Sequence, residues 1–216
     1  MLFRSSQILR LPVALQAASR TDAGVHAEGQ VVNFFTPVEV PLEKLQKSLN
    51  SLLPEDISVL KIEKMATSFH PTLDSQGKEY HYSVCLGATQ LPFYRNFSWH
   101  FSYPVNVEQM KKAAALLKGQ HDFSAFTNEK QEENVREIYD IVIDSFENRL
   151  KIRVSGNKFL YKMVRNIVGT LLYVGCGKLS ADEIPAILES KDRTRAGVTA
   201  PAQGLVLKEV FYDRKK

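Results

Sequence analysis

Arg20-Thr21-Asp22 sets one guanidinium two residues from one carboxylate, and Ala23-Gly24 follows at once. Such a small pair can turn sharply and lets a bulky ligand approach the backbone. Gly29-Gln30 and an apolar run, Val31-Val32-Asn33-Phe34-Phe35, come next and predict a buried strand over 31–36. An acid on a tight loop that feeds a buried strand is a rigid mounting for a reacting group. Asp and Gly are also ordinary turn formers, and turn chemistry and periodicity alone favour that plainer reading.

The chain that must position this loop has 216 residues, enough for one large domain or two small ones. At 44% hydrophobic and 24% charged it has the composition of a soluble globular protein, and no apolar run is long enough to span a bilayer. Cys85 and Cys176 are far apart and lack a CxxC partner. That argues against a disulfide framework or a zinc ribbon and fits a reducing, cytoplasmic setting, with both cysteines as small buried hydrophobes. A net charge of +4 permits a nucleic-acid partner without requiring one. Before Asp22 the chain holds Arg4, Arg10 and Arg20 and no acid. That pattern suits an organellar transit peptide, but Leu11-Pro12-Val13-Ala14-Leu15 runs into the Asp22 loop as a core strand would.

Taken in order, the pattern predicts a strand over 8–18 and a helix from Pro41 to about Leu53. Leu42, Leu45, Leu49 and Leu52 form that helix's apolar face. A strand is expected over Ile57–Met65. His70, beside Pro71 on a loop, is a weak candidate base and more commonly a structural residue. Glu79–Leu86 alternates, with Tyr80, Tyr82, Val84 and Leu86 on one face. Tyr80 is either half-buried strand filler or a platform for a nucleobase. Further expectations are a strand near 97–101, a helix over Val107–Lys118 ended by Gly119, a polar loop over 130–134, and a hairpin of 137–146 with 149–155. The stretch from Phe159 to Val174, FLYKMVRNIVGTLLYV, predicts a buried helix, apolar nearly all round. A buried Arg165 within it needs an anion, unless it reaches solvent along its stem. Ser180 and Glu183 form a capping box for a short helix, a last strand covers 206–212, and Arg214-Lys215-Lys216 is a frayed basic tail. Strands followed by single helices, with hairpins between, give the α+β class with a largely antiparallel sheet.

Four motifs give the chain a family resemblance. RTDAGVHA with GQVVNF, Tyr80-His81-Tyr82, Met-Val-Arg-Asn at 163–166 and Ala-Pro-Ala-Gln-Gly-Leu at 200–205 resemble the signature of the tRNA pseudouridine synthase A family. The resemblance implies Asp22 as catalytic nucleophile, Arg165 as its cationic partner, Tyr80 against the target uridine and Leu205 as a wall of the uracil pocket. It implies two ferredoxin-like halves joined into one continuous sheet, with helices on one face and a central cleft. Residues 1–100 would then carry Asp22 and Tyr80, and residues 101–216 would carry Arg165 and Leu205 and complete the cleft. The implied substrate is uridine at positions 38, 39 and 40 of the tRNA anticodon stem-loop, and the implied assembly is a homodimer without metal. The family's Gly-Trp-Gln element and its first strand and helix are missing, which suggests a shortened start. Its Phe-His-Ala-Arg is here Phe-His-Pro-Thr, with Thr72 in place of Arg.

Turning uridine into pseudouridine breaks a C–N glycosidic bond and makes a C–C bond to the same base. No atoms are supplied, so no cofactor or metal is expected, and no His/Cys cluster or phosphate-cradling loop occurs. The carboxylate must stay charged while partly buried, which a contacting cation secures. Arg20 would hold the RNA backbone while the nucleotide is flipped, at a cost of a few kcal/mol that stacking on Tyr80 partly returns. Attack on the sugar, attack on the base and removal of a ribose proton all remain open for Asp22. Lys158, Lys162, Arg193 and Arg195 are candidates for the RNA path. The rival reading is a non-catalytic RNA-binding protein disabled by the short start. A carboxylate-based hydrolase is disfavoured, since no second acid stands as partner.

Overall fold

The computed structural model describes residues 2–37, 39–129 and 132–213. Lys130 and Gln131 of the expected polar loop, and the basic tail 214–216, lie outside the described residues. The chain divides into two compact units, the first made of residues up to 19 and 31–74, the second of 20–30 and 75 onward.

The first unit contains helix α1 (Leu2–Leu9), strand β1 (Gln16–Ala17), strand β3 (Val32–Asn33) and helix α2 (Leu42–Leu52). Leu9, Val13, Leu45, Leu49 and Leu53 form its core. The leucine face expected for α2 is confirmed at Leu45 and Leu49, while Leu52 is 41% exposed. The strand expected over 8–18 is corrected to a helix followed by a two-residue ladder with β3. Arg10 adopts a left-handed φ of 55°, and Pro12 disfavours a helical conformation for the residue before it, so the helix stops before the ladder begins. The strand expected over 57–65 does not form. That segment forms no regular element, and α2 bonds to its backbone where a neighbouring strand was expected to. Gln46 donates to the carbonyls of Val59 and Leu60 at 3.0 and 2.8 Å. Asn50 donates to the Val59 carbonyl and accepts its N–H at 2.7 Å.

The second unit is a seven-stranded, mostly antiparallel sheet with helices. Its strands are β2 (His26–Ala27), β4 (Gly77–Leu86), β5 (Trp99–Phe101), β6 (Gly119–Asp122), β7 (Val135–Phe146), β8 (Arg149–Gly156) and β9 (Leu205–Phe211). They lie in the order β2-β9-β4-β8-β7-β6, with β5 beside β4, and only the β2–β9 and β4–β5 pairs are parallel. The α+β class read from the sequence is therefore what forms. The helices are α3 (Val107–Leu116), α4 (Met163–Gly175) and α5 (Ile184–Ser190). Asn106 caps α3 by accepting the Gln109 N–H, and Ser180 with Glu183 completes the expected capping box ahead of α5. Phe123 and Phe126, after β6, are fully buried anchors.

Helix α4 starts four residues later than its apolar run predicts. Lys162 is left-handed, with φ 59°, and the carbonyl of Tyr161 is taken by the Thr127 hydroxyl at 3.1 Å. From Met163 onward the helix is buried nearly all round. At Gly169 its backbone meets the chain at Val198 so closely that an added Cβ would lie 1.7 Å from the Val198 carbonyl oxygen. Only glycine permits that approach, and it draws residues 197–200 onto the helix.

Candidate active site: a carboxylate clamped by a helical arginine

Asp22 opens a four-residue turn in which the Val25 N–H donates to the Asp22 carbonyl at 3.0 Å. Gly24 sits at the third position with φ 82°, a conformation that favours glycine. Strand β2 leaves the turn and pairs with β9 at His26–Val206 and Ala27–Leu207. The N–H groups of Glu28 and Gly29 then both donate to the Leu207 carbonyl. The loop is thus tied to the central sheet on its exit side. His26 is held as well, with Nε2 2.8 Å from the Asn96 carbonyl oxygen and its ring 4.7 Å from that of Phe97.

Arg165 reaches this turn from the first turn of α4. Its Nη1 donates to Asp22 Oδ2 at 2.5 Å, and the two side chains are 13% and 20% exposed. At that burial the attraction is screened far less than in a surface ion pair. A cation in the first helical turn opposes the helix dipole, so α4 gains no stability from it, and the Asp22 carboxylate supplies the compensating charge. Arg165 is locked further along: its Nε donates to the Ala200 carbonyl at 2.7 Å, and its own carbonyl accepts the Ala200 N–H at 3.1 Å. One guanidinium edge is spent on aiming the other.

Asn166, fully buried, holds the strap that carries Ala200. Its amide donates to the Phe126 carbonyl at 2.7 Å and to Asn128 at 2.9 Å. Its oxygen accepts from Arg193 at 2.8 Å and from the Thr199 hydroxyl at 2.7 Å. Thr170 adds a bond from the Gly197 N–H at 2.9 Å. Arg193 also donates to the Gly197 carbonyl at 2.8 Å. Its expected place on an RNA path is therefore corrected: its guanidinium is turned inward to hold the strap, because Asn166 and Gly197 offer it buried acceptors.

Tyr80 lies on β4 at 7% exposure, its ring edge-on to Phe159 at 5.1 Å. Leu205, at 6%, begins β9 opposite Tyr82. Sequence reasoning left Tyr82 as strand residue, yet it bears on the site. It is fully buried and donates its hydroxyl to the Pro201 carbonyl at 2.8 Å, one residue past Ala200, where Arg165 clamps the strap. Burial pushes its phenol pKa well up, and the nearby Arg165 charge only partly offsets this, so the hydroxyl remains a donor. Its alternation with Tyr80 was visible, but its bond partner, far along the chain, was not. The structure brings Asp22 and Arg165 into contact and sets Tyr80 and Leu205 on adjacent strands. Arg20 is exposed. His70 accepts the N–H groups of Thr72 and Leu73 at 3.1 and 3.2 Å, as a turn cap does. Thr72 donates to the Ala17 carbonyl at 2.9 Å. Among the described residues no group of three or more His, Cys, Asp or Glu stands where it would hold a metal ion, and no helix is long and apolar enough to cross a membrane.

Fold and site define an α+β protein built around a carboxylate with a dedicated guanidinium partner. Known sequences make the assignment narrower. The family model for tRNA pseudouridine synthase matches residues 113–213. The chain is 53% identical over 212 residues to tRNA pseudouridine synthase A 2 of Protochlamydia amoebophila (strain UWE25), covering 95% of this chain and 81% of that protein. It is 50% identical over 202 residues to tRNA pseudouridine synthase A of Thermoanaerobacter sp. (strain X514), covering 93% and 83%. Against tRNA pseudouridine synthase A of Bacillus subtilis (strain 168) it is 45% identical over 206 residues, covering 94% and 83%. The chain belongs to the tRNA pseudouridine synthase A family.

Proposed function

We propose that this protein isomerises uridine to pseudouridine at positions 38, 39 and 40 of the tRNA anticodon stem-loop, with Asp22 as the catalytic carboxylate. The buried pair of Asp22 with Arg165 carries the reading. The reaction breaks the bond from the sugar to N1 of uracil, forms one from the sugar to C5, releases the C5 proton to solvent and protonates the freed N1, so that no atoms are gained or lost. A carboxylate beside a fixed guanidinium stays ionised and keeps its direction throughout. Tyr80 packs against the extruded uracil, Leu205 walls it, and Arg20, exposed two residues before Asp22, holds the RNA backbone. Residues 1–100 bring Asp22 and Tyr80 to this chemistry, and residues 101–216 bring Arg165 and Leu205. The enzyme works as a cytoplasmic homodimer in this reading.

Tritium release from tRNA carrying uridine labelled at C5 tests it. The wild-type protein releases label, and Asp22→Ala lowers the rate by about a thousandfold or more. Equal release by the two proteins overturns the assignment of Asp22. Salt-sensitive tRNA binding with no release by the wild type returns the protein to the binding-only reading.

A further inference from the structure

Along the inner face of the large sheet, two neighbouring rows cross β9, β4 and β8: Val210-Lys78-Gly156 and Leu207-Tyr80-Val154. Residues opposite one another in a ladder share a face, so Lys78 stands beside Tyr80 as the one charged side chain in these rows. It is half-buried, and among the described residues its ammonium has no carboxylate partner. Burial pushes its pKa down, and the like charge of Lys158 pushes it further. Lys158 is exposed and precedes Phe159, whose ring lies against Gly156, the ladder partner of Lys78, and edge-on to Tyr80. The charge of Lys158 thus acts on that of Lys78 next to an aromatic pair, and among the described residues neither lysine has an ion-pair partner. A partly desolvated cation of this kind costs stability unless an anion arrives.

We propose that Lys78 and Lys158 form a phosphodiester-binding site beside Tyr80, taking the RNA backbone phosphate next to the nucleotide that Tyr80 packs against. The inference rests on the isomerase reading for the identity of that nucleotide. A nucleotide presents a flat base and an anionic phosphate a short distance apart. The Tyr80–Phe159 rings beside a pair of ammonium groups match that combination. Lysine suits the role as a point charge on a flexible stem, whose methylenes can lie along the apolar row.

The test is tRNA binding across a salt series with full-length wild type, Lys78→Met and Lys78→Arg, and with Lys158→Ala as a milder companion. Lys78→Met should weaken binding by about five- to tenfold near 0.1 M salt and make the log–log salt slope shallower by about one, the effect of one lost phosphate contact. Lys78→Arg should keep the wild-type slope. At saturating tRNA the single-turnover rate of Lys78→Met should stay within about twofold of wild type, since the lysine holds substrate and does not react. Its melting temperature should hold or rise, because a half-buried unpaired charge is gone. An unchanged slope and affinity overturns the proposal, and so does a lowered melting temperature with an unchanged slope. Tritium release by the wild type is read in the same preparations. Its absence defeats the isomerase reading, while the slope still decides the phosphate site.

Discussion

The two units solve the same problem, satisfying non-helical backbone, by different means. In the first, residues 57–65 have no strand beside them, and half-buried Gln46 and exposed Asn50 of α2 supply the bonds from their side chains. In the second, β4 lies between β8 and β9, and α4 is pinned by a buried polar network and by close backbone contact at Gly169. Asp22, Arg165, Tyr80 and Leu205 all belong to the second unit. The proposed site thus falls where ladders and buried bonds determine position, since side-chain bonds to backbone near solvent open readily.

Five substitutions at four positions sharpen the contrast. Arg165→Ala should have the largest effect. It strips the Asp22 carboxylate of its partner and removes one of the two bonds that hold Ala200, and the rate of tritium release should fall by roughly 10²–10³-fold. Arg165→Lys restores charge but not the second prong to Ala200, so it should recover only part of that loss. Gly169→Ala should come next. A methyl 1.7 Å from the Val198 oxygen forces the strap off the helix. Thermal unfolding should show a loss of about 3 kcal/mol, with activity falling as Ala200 moves. If Gly169→Ala melts like wild type, the second unit is not interlocked as described.

In the first unit, Asn50→Ala should cost about 1 kcal/mol. Its signature is local: faster hydrogen exchange at the Val59 amide while amides of β4 and β8 keep their protection. Global destabilisation instead would mean that 57–65 is not held separately. The smallest effect belongs to Asp122. Burial alone would raise its carboxyl pKa, but Lys191 at 2.7 Å and two bonds from Ser124 outweigh that and hold it below its ordinary 3.8. A lowered folded-state value contributes stability above pH 3.8 and loses it as the pH falls through the folded value. Acid denaturation followed below about pH 4 should therefore be shallower for Asp122→Asn than for wild type.

Much of the second unit could be read along the chain. The alternation over 79–86, the hairpin of β7 and β8, the α3 helix and the Ser180–Glu183 capping box each depend on neighbours a few residues away. The first unit was harder. Ile57–Met65 has strand-like composition, and nothing local reveals that Asn50 and Gln46 will take its backbone. Residues 8–18 looked like one strand because Leu11 to Leu15 are mostly apolar. Arg10 and Pro12 divide that stretch into a helix and a short extended arm. At the site, the need of a buried Arg165 for an anion was evident from helix pattern and charge together. The inward turn of Arg193 was not, since an arginine in a charged exit, Lys191-Asp192-Arg193, resembles solvated surface.

What the sequence alone determined is the kind of residue available and its local setting: a carboxylate on a glycine turn, an arginine in an apolar helix, two tyrosines on one strand face. Periods of two and 3.6 residues and turn chemistry act over a few positions, so they survive without knowledge of the rest of the chain. What only the tertiary structure decided is which of these groups meet. The bond from Arg165 to Asp22 spans 143 positions and that from Tyr82 to Pro201 spans 119. Such pairings follow from how the sheet orders its strands and how closely α4 and its strap can approach, and no local pattern encodes either.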